Sequence, residues 1–139
     1  PERPARMHYG EILSLLGLGF GALLGLGALF SPEWASRFVR LKADPERPGG
    51  YSEFRATYGG LFLMAHLMTF LLVLQAPETV AVFAVLPLAA GWLGAAMGRA
   101  FSLVLDRDKG SGARIVLIWM GSEILLALAI AAPILQFTG

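Results

Sequence analysis

Four long apolar runs dominate this chain and limit what it can fold into. They cover residues 12–30, 56–76, 80–105 and 115–137. A helix of about 20 residues is about 30 Å long, which matches the thickness of the hydrocarbon core of a bilayer. None of the runs alternates polar and apolar residues as the strands of a transmembrane barrel do. The sequence therefore predicts an all-α fold, an integral membrane four-helix bundle in which residues 1–139 form a single domain.

The composition supports a membrane protein. Apolar residues make up 56% of the chain and charged residues 15%, with a mean hydropathy of +0.65, whereas soluble domains average about 45 to 50% apolar and about 25% charged residues. The chain has no cysteine, which excludes a disulfide scaffold, a thiolate metal site and a thiol nucleophile.

The distribution of positive charge predicts the orientation in the membrane. Lys and Arg are retained on the cytoplasmic side of short loops. Most of them lie between the first and second runs or between the bodies of the third and fourth: Arg37, Arg40, Lys42, Arg47, Arg55, Arg99, Arg107, Lys109 and Arg114. The opposite side carries Arg3 and Arg6. We therefore expect loops 31–55 and 106–114 on the cytoplasmic side and both termini on the other side.

The first loop begins with a helix start signal. Ser31 is a typical N-cap, Pro32 suits the first helical position, and Glu33 complements the helix dipole. These residues predict a short amphipathic helix over 32–42 that lies on the membrane surface. Its apolar side and its cationic side supply the expected membrane-surface residues, which are Trp34, Phe38, Leu41, Arg37 and Arg40. The helix either closes the end of the bundle or binds lipid or a partner.

Small residues predict where the helices pack closely. Glycines recur every four residues in the first run and, after Ala90, in the third, and a glycine pair opens the second. Such faces allow the close backbone approach that helices need in lipid. The expected packing residues are Gly17, Gly21, Gly25, Gly59, Gly60, Gly94 and Gly98. The pattern does not say whether the partner helix belongs to this chain or to another.

Two charged residues lie inside the third and fourth runs. An unpaired charge in hydrocarbon costs several kcal/mol, so Arg99 and Glu123 each need a partner. In a helical hairpin, residues at the same level are equidistant from the turn, and the midpoint of this pair falls at Ser111, within the turn. The sequence therefore predicts an ion pair, which either fixes the register of the two helices or takes part in function.

Polar residues at the start of the second run extend this picture. Glu53, Arg55 and Tyr58 lie at its mouth, and His66 lies farther along the same α-helical stripe as Arg55. Together with Arg99 and Glu123 they form the expected intramembrane polar cluster. Intramembrane ionisable residues suggest a proton or anion path. The alternative is that His66 bonds a backbone carbonyl and that the charges at the mouth lie among the headgroups.

The residues that carry a family resemblance are the segment Glu53-Phe54-Arg55-Ala56-Thr57-Tyr58-Gly59-Gly60, then Gly98-Arg99, and a lone Glu123. By these residues the chain resembles an uncharacterised bacterial family of small four-span membrane proteins, a domain of unknown function. The resemblance covers nearly the whole chain. It implies a bacterial inner membrane and no established activity. With the orientation predicted from the positive charges, both termini are then periplasmic. It also marks Glu53, Arg55, Tyr58, Gly59, Gly60, Arg99 and Glu123 as the residues of greatest interest.

Several kinds of chemistry find no support in the sequence. His8 and His66 lie at different heights, so no metal site is expected. No phosphate-binding loop, nucleophile elbow, zinc-protease motif or dinucleotide fingerprint is present, and we expect no cofactor and no catalytic residue. The net charge of +1 gives no reason to expect nucleic acid as a partner.

Two functions remain. The first is a non-enzymatic accessory or structural subunit that docks to a larger membrane complex. Its expected partners are the lipid bilayer and either another membrane protein or a second copy of the chain. The second is a small oligomeric transporter or proton-coupled channel that uses the Arg99 and Glu123 cluster. A membrane enzyme acting on lipid is less favoured, because the chain offers no second carboxylate or metal triad at matching depth.

Overall fold

A computed structural model describes residues 7–107 and 112–137. The regular secondary structure in these ranges is all helical, and no strand is present there. The helices are α1 (Tyr9–Phe30), α2 (Pro32–Val39), α3 (Gly50–Glu53), a π segment (Phe54–Leu61), α4 (Phe62–Gln75), α5 (Glu78–Leu105), α6 (Ala113–Ala131) and α7 (Ile134–Phe137). The predicted all-α fold is confirmed for the described residues.

Four of these stretches are long and apolar enough to cross a membrane. They are Tyr9–Phe30, Gly50–Gln75, Glu78–Leu105 and Ala113–Ala131, with mean hydropathies of 1.8 to 2.1. The second stretch is continuous through α3, the π segment and α4. The four predicted spans therefore correspond to four helices.

The helix ends differ from the prediction where local backbone chemistry decides them. The second stretch begins at Gly50 rather than at residue 56, because Gly49 turns the chain with a φ of 105° directly before it. The fourth long helix ends at Ala131 rather than at residue 137. Pro133 has no N–H to continue the helical hydrogen bonding, so the chain turns and restarts as the short helix α7.

The chain divides into two compact units. The first, which we call the α5–α6 unit, contains the residues up to Gly17 and those from Leu72 onward. In it α5 and α6 pack as an antiparallel hairpin. The packed side of α5 buries small side chains at roughly helical spacing, and α6 buries one acidic and two apolar residues; these are Ala81, Val82, Val85, Ala89 and Ala96, and Glu123, Ala127 and Ile130.

The second unit, which we call the α2 unit, covers Leu18–Leu71. Its small core joins the end of α1, the middle of α2 and the start of the π segment through Ala28, Ala35 and Phe54. Trp34 of α2 stacks on Phe38, with ring centroids 5.2 Å apart. A Cβ added to Gly27 would lie 2.8 Å from the Trp34 ring, so this glycine allows α2 to fold back onto α1.

Helix α2 is shorter than predicted. It ends at Val39 rather than at residue 42, because Arg40 adopts a left-handed backbone conformation with φ 61° and ψ 28°. Leu41 therefore lies beyond the helix. The helical periodicity had predicted that it shares a face with Trp34 and Phe38, and it does not. Its side chain is 54% exposed.

Candidate functional site

Arg99 of α5 and Glu123 of α6 form an ion pair. Arg99 Nε donates a hydrogen bond to Glu123 Oε1 over 2.7 Å. The Glu123 side chain is 5% exposed and that of Arg99 is 38% exposed, and the guanidinium carbon lies 5.8 Å from the centre of the Trp119 ring. The contact lies between the two residues that the hairpin midpoint places at one level.

The second carboxylate oxygen of Glu123 is the more informative atom. Oε2 is buried and accepts no hydrogen bond from any residue in the described ranges. A buried acceptor without a donor raises the free energy of the folded state by about 1 to 3 kcal/mol. Glu123 also lies about 15 Å along α6 from the helix start at Ala113. The site can therefore accept a hydrogen bond from a further donor near the middle of the helix.

The segment that resembles the uncharacterised family is a π-helix. Phe54–Leu61 forms this wider helix between two α-helical stretches. π-helices are rare and occur frequently at functional sites. The α-helical periodicity predicted here is therefore not kept in this segment. The Gly59-Gly60 pair was a possible signal, because glycine weakens the preference for a regular α-helix.

Within this segment, Arg55 stabilises the end of α1. Its Nη1 donates a hydrogen bond to the carbonyl oxygen of Leu29, in the last turn of α1, where carbonyls lack partners within the helix. The positive charge also complements the negative end of the helix dipole. Gly59 allows the contact to be close, since a Cβ there would lie 2.8 Å from Leu29 Cα.

His66 is buried in the α2 unit. Its Nδ1 lies 2.7 Å from the carbonyl oxygen of Phe62, and because a carbonyl only accepts, Nδ1 carries the hydrogen in this contact. The Phe62 ring centroid is 4.3 Å away. A Cβ at Gly21 would overlap the imidazole. These contacts match the structural interpretation of His66, a histidine bonded to a backbone carbonyl and packed on a glycine.

The remaining predicted polar residues belong to the same unit as His66. Glu53 is exposed, and Tyr58 stacks on Phe54 with ring centroids 5.5 Å apart. The structure thus brings Arg99 and Glu123 together in one unit and places Glu53, Arg55, Tyr58 and His66 in the other. The joint cluster of all six stays a prediction.

The predicted packing glycines differ in how closely other residues approach them. Four lie tightly against another helix of their own unit: Gly17 against Ile130, Gly21 against His66, Gly25 against Leu63 and Gly59 against Leu29. Gly60 meets only the carbonyl oxygen of Arg55, 3.6 Å from an added Cβ.

The glycine face of α5 behaves differently. A Cβ added to Gly94 or Gly98 meets no described atom within 4 Å. No described residue therefore packs closely on this face, and the buried side of α5 carries alanines and valines instead. Packing of the face against another chain stays a prediction.

Two polar contacts near the start of α1 escaped the sequence analysis. The hydroxyl of Ser14 donates to the carbonyl oxygen of Ile130 over 2.9 Å, at the helix end interrupted by Pro133. Glu11 Oε2 accepts from the backbone N–H of His8 over 3.2 Å, which is half of a capping box. The serine had no recognisable signal, whereas the acid in the first helical turn did.

No group of three or more His, Asp or Glu side chains within residues 7–107 and 112–137 could hold a metal ion.

Comparison with known proteins identifies one family. Residues 11–132 match the family described as Domain of unknown function (DUF4345). The chain belongs to this family. The DUF4345 match runs from the first turn of α1 to the end of α6 and includes the π segment and the ion pair. No curated protein and no solved structure matches the chain.

Proposed function

We propose that this DUF4345 protein is a non-enzymatic accessory or structural subunit that docks to a larger membrane protein through α5. One observation carries the proposal: the backbone of α5 is open at Gly94 and Gly98. Small residues at this spacing let a second helix approach closely, and in lipid such contact is a main source of association. A partner helix could approach this backbone closely, because no described atom lies within 4 Å of a Cβ added at either position.

The proposal requires that the four apolar helices cross a membrane. Large apolar side chains are exposed on all four, for example Leu23, Leu61, Phe83 and Leu125, each more than 60% exposed. In water such surface would drive aggregation, whereas hydrocarbon accommodates it. The membrane we propose is the bacterial inner membrane, with loops 31–55 and 106–114 cytoplasmic, both termini periplasmic and α2 on the cytoplasmic surface.

A second candidate function follows from Glu123. Its unpaired buried Oε2 beside a partly exposed Arg99 would suit a small oligomeric transporter or proton-coupled channel, in which a passing proton or solute supplies the missing hydrogen bond. In that case Glu123→Gln abolishes flux in proteoliposomes while the free energy of unfolding changes little. A structural pair would show the reverse.

The docking proposal is tested by the mass of the protein extracted from its own membrane in mild detergent, with every stoichiometric partner identified. Gly94→Leu and Gly98→Leu would place bulk on the docking face. Gly121→Leu is the matched control, because a Cβ at this α6 glycine also meets no described atom within 4 Å. We expect the first two variants to release the partner and the control to retain it.

The absence of cysteine from the chain allows a second readout without background reactivity. Gly94→Cys should give one defined cross-linked species in the membrane, and Gly121→Cys should not. Two results together contradict the proposal. The protein with all three glycines intact is monomeric, and the Gly94→Cys variant yields no cross-link.

Membrane orientation has its own test. Ser52 and Thr79 are both exposed and are proposed to lie on opposite sides. An impermeant thiol reagent added to intact cells stripped of their outer membrane should label Thr79→Cys and not Ser52→Cys. Labelling of both, or only of Ser52→Cys, contradicts the proposed orientation.

A further inference from the structure

An open basin lies beside the end of α2 within the α2 unit. Its volume is about 430 Å³, and its lining includes three cationic residues, one acid and one phenol: Arg37, Arg40, Lys42, Glu33 and Tyr51. None of the three cations forms an ion pair with another described residue. The basin therefore concentrates uncompensated positive charge in one place.

The backbone at Arg40 indicates that a side chain is needed there. Arg40 is the left-handed residue that follows α2. Its N–H donates to the carbonyl oxygen of Arg37 over 3.3 Å, and the N–H of Leu41 donates to the carbonyl oxygen of Ser36 over 3.0 Å. This arrangement is the Schellman motif, in which glycine normally occupies the left-handed position. An arginine there costs backbone strain that glycine would avoid. Strain of this kind collects at ligand-binding positions.

The same hydrogen bonds also reduce an obstacle to anion binding. The last carbonyls of a helix normally repel anions. At the end of α2, the carbonyl oxygens of Ser36 and Arg37 already accept hydrogen bonds from the following turn. The guanidinium groups that line the basin are then the dominant local charges. Arginine forks match the oxygens of a phosphate group.

We propose that this basin binds the phosphate group of an anionic phospholipid whose headgroup carries a hydroxyl. Arg37 and Arg40 donate to the phosphate oxygens, and Lys42 adds positive charge. Glu33 accepts a hydrogen bond from the headgroup hydroxyl. This inference rests on the membrane placement proposed above, because α1 ends at Phe30 and the second apolar stretch starts at Gly50, which puts the basin between two spans at the membrane surface.

The test uses the full-length protein in a neutral detergent and measures lipid binding by native mass spectrometry. The probes are phosphatidylglycerol, phosphatidylcholine with the same acyl chains, and inorganic phosphate. We expect phosphatidylglycerol to bind more tightly than phosphatidylcholine. Arg40→Gly should weaken that binding about fivefold, as expected for the loss of one cation near a lipid headgroup, without loss of folding, because glycine suits the left-handed backbone.

Arg47→Gln is the matched control. Arg47 lies in the same loop, is 88% exposed and contacts Asp44 rather than the basin. If Arg47→Gln and Arg40→Gly weaken binding equally, only diffuse charge is at work and the proposal is overturned. Equal affinity for the two lipids also overturns it. Displacement of phosphatidylglycerol by inorganic phosphate that itself binds through Arg40 would assign the basin to a soluble phosphate compound instead.

These outcomes are separate from those of the function proposed above. Thiol labelling at positions 52 and 79 tests the membrane placement, and the Gly94 variants test docking. The basin can therefore fail while both of those hold. If the labelling contradicts the orientation, the basin lies at the opposite leaflet, and the comparison of phosphatidylglycerol with phosphatidylcholine still decides whether it binds an anionic lipid.

Discussion

The imidazole ring of His66 lies directly against the backbone of Gly21, at a separation that leaves no room for any side chain at position 21. The histidine is fully buried and bonded through Nδ1 to Phe62. One glycine thus makes space for the polar ring of another helix in the same unit. The pair shows that a buried histidine in this chain serves helix packing.

Gly21→Ala should therefore destabilise the protein. The added methyl group overlaps the ring, and overpacking of this kind costs about 1 to 3 kcal/mol. Unfolding in mixed detergent micelles measures the change in the free energy of unfolding. Gly19→Ala is the control on the same helix, because its Cβ would lie 3.8 Å from Phe70 Cε2, an ordinary contact. Equal stability of the two variants would show that α1 and α4 are farther apart than described.

The Arg99 and Glu123 pair should show energetic coupling. In a double-mutant cycle with Arg99→Gln and Glu123→Gln, we expect an interaction of about 1 kcal/mol or more, within the range for directly contacting residues. The Asp44 and Arg47 pair provides the control, since its atoms are 3.6 Å apart and well exposed, and such surface pairs contribute about 0 to 1 kcal/mol. Additive losses at positions 99 and 123 would refute the pairing.

Arg55 should contribute to stability through α1. Arg55→Met removes the donor to the Leu29 carbonyl, and a hydrogen bond from a charged group contributes about 1.5 to 3 kcal/mol. We expect a loss at the lower end of this range because Arg55 is exposed. Glu53→Gln, in the neighbouring exposed position, should change the free energy of unfolding by less than about 0.5 kcal/mol. If both variants behave alike, Arg55 does not cap α1.

Ser14 should matter more than its size suggests. Ser14→Ala leaves the buried Ile130 carbonyl without its donor, at a cost of about 1 to 3 kcal/mol. Ser122→Ala should be nearly neutral, because that hydroxyl donates to the Trp119 carbonyl oxygen within its own helix. A carbonyl inside a helix also accepts a hydrogen bond from the helical backbone. Thermal unfolding of both variants in the same detergent compares them. A neutral Ser14→Ala would mean that water replaces the hydroxyl.

The sequence predicted the features that depend on long-range periodicity or on strong energetic penalties. The four helices follow from the length of the apolar runs, and the Arg99 and Glu123 contact follows from the cost of unpaired charge in hydrocarbon. Both requirements are so strong that local detail cannot override them. The number and approximate positions of the four long helices were therefore predictable.

The features that the sequence analysis missed are local choices of nearly equal energy. The π segment differs from an α-helix by the pairing of a few carbonyls, and nothing in residues 54–61 announces that choice strongly. The end of α2 depends on the backbone of Arg40, a residue type that rarely adopts the left-handed conformation. Which face of α5 meets α6 was also open, because alanine and glycine both permit close packing.

The π segment gives the second apolar stretch a property that a uniform helix lacks. Removing one residue from Phe54–Leu61 would restore α-helical pairing without breaking the helix. Everything after it would then rotate and shift relative to Arg55, while both loops kept their length. At this segment, the rotation of one end of the helix about its axis can change independently of the other end.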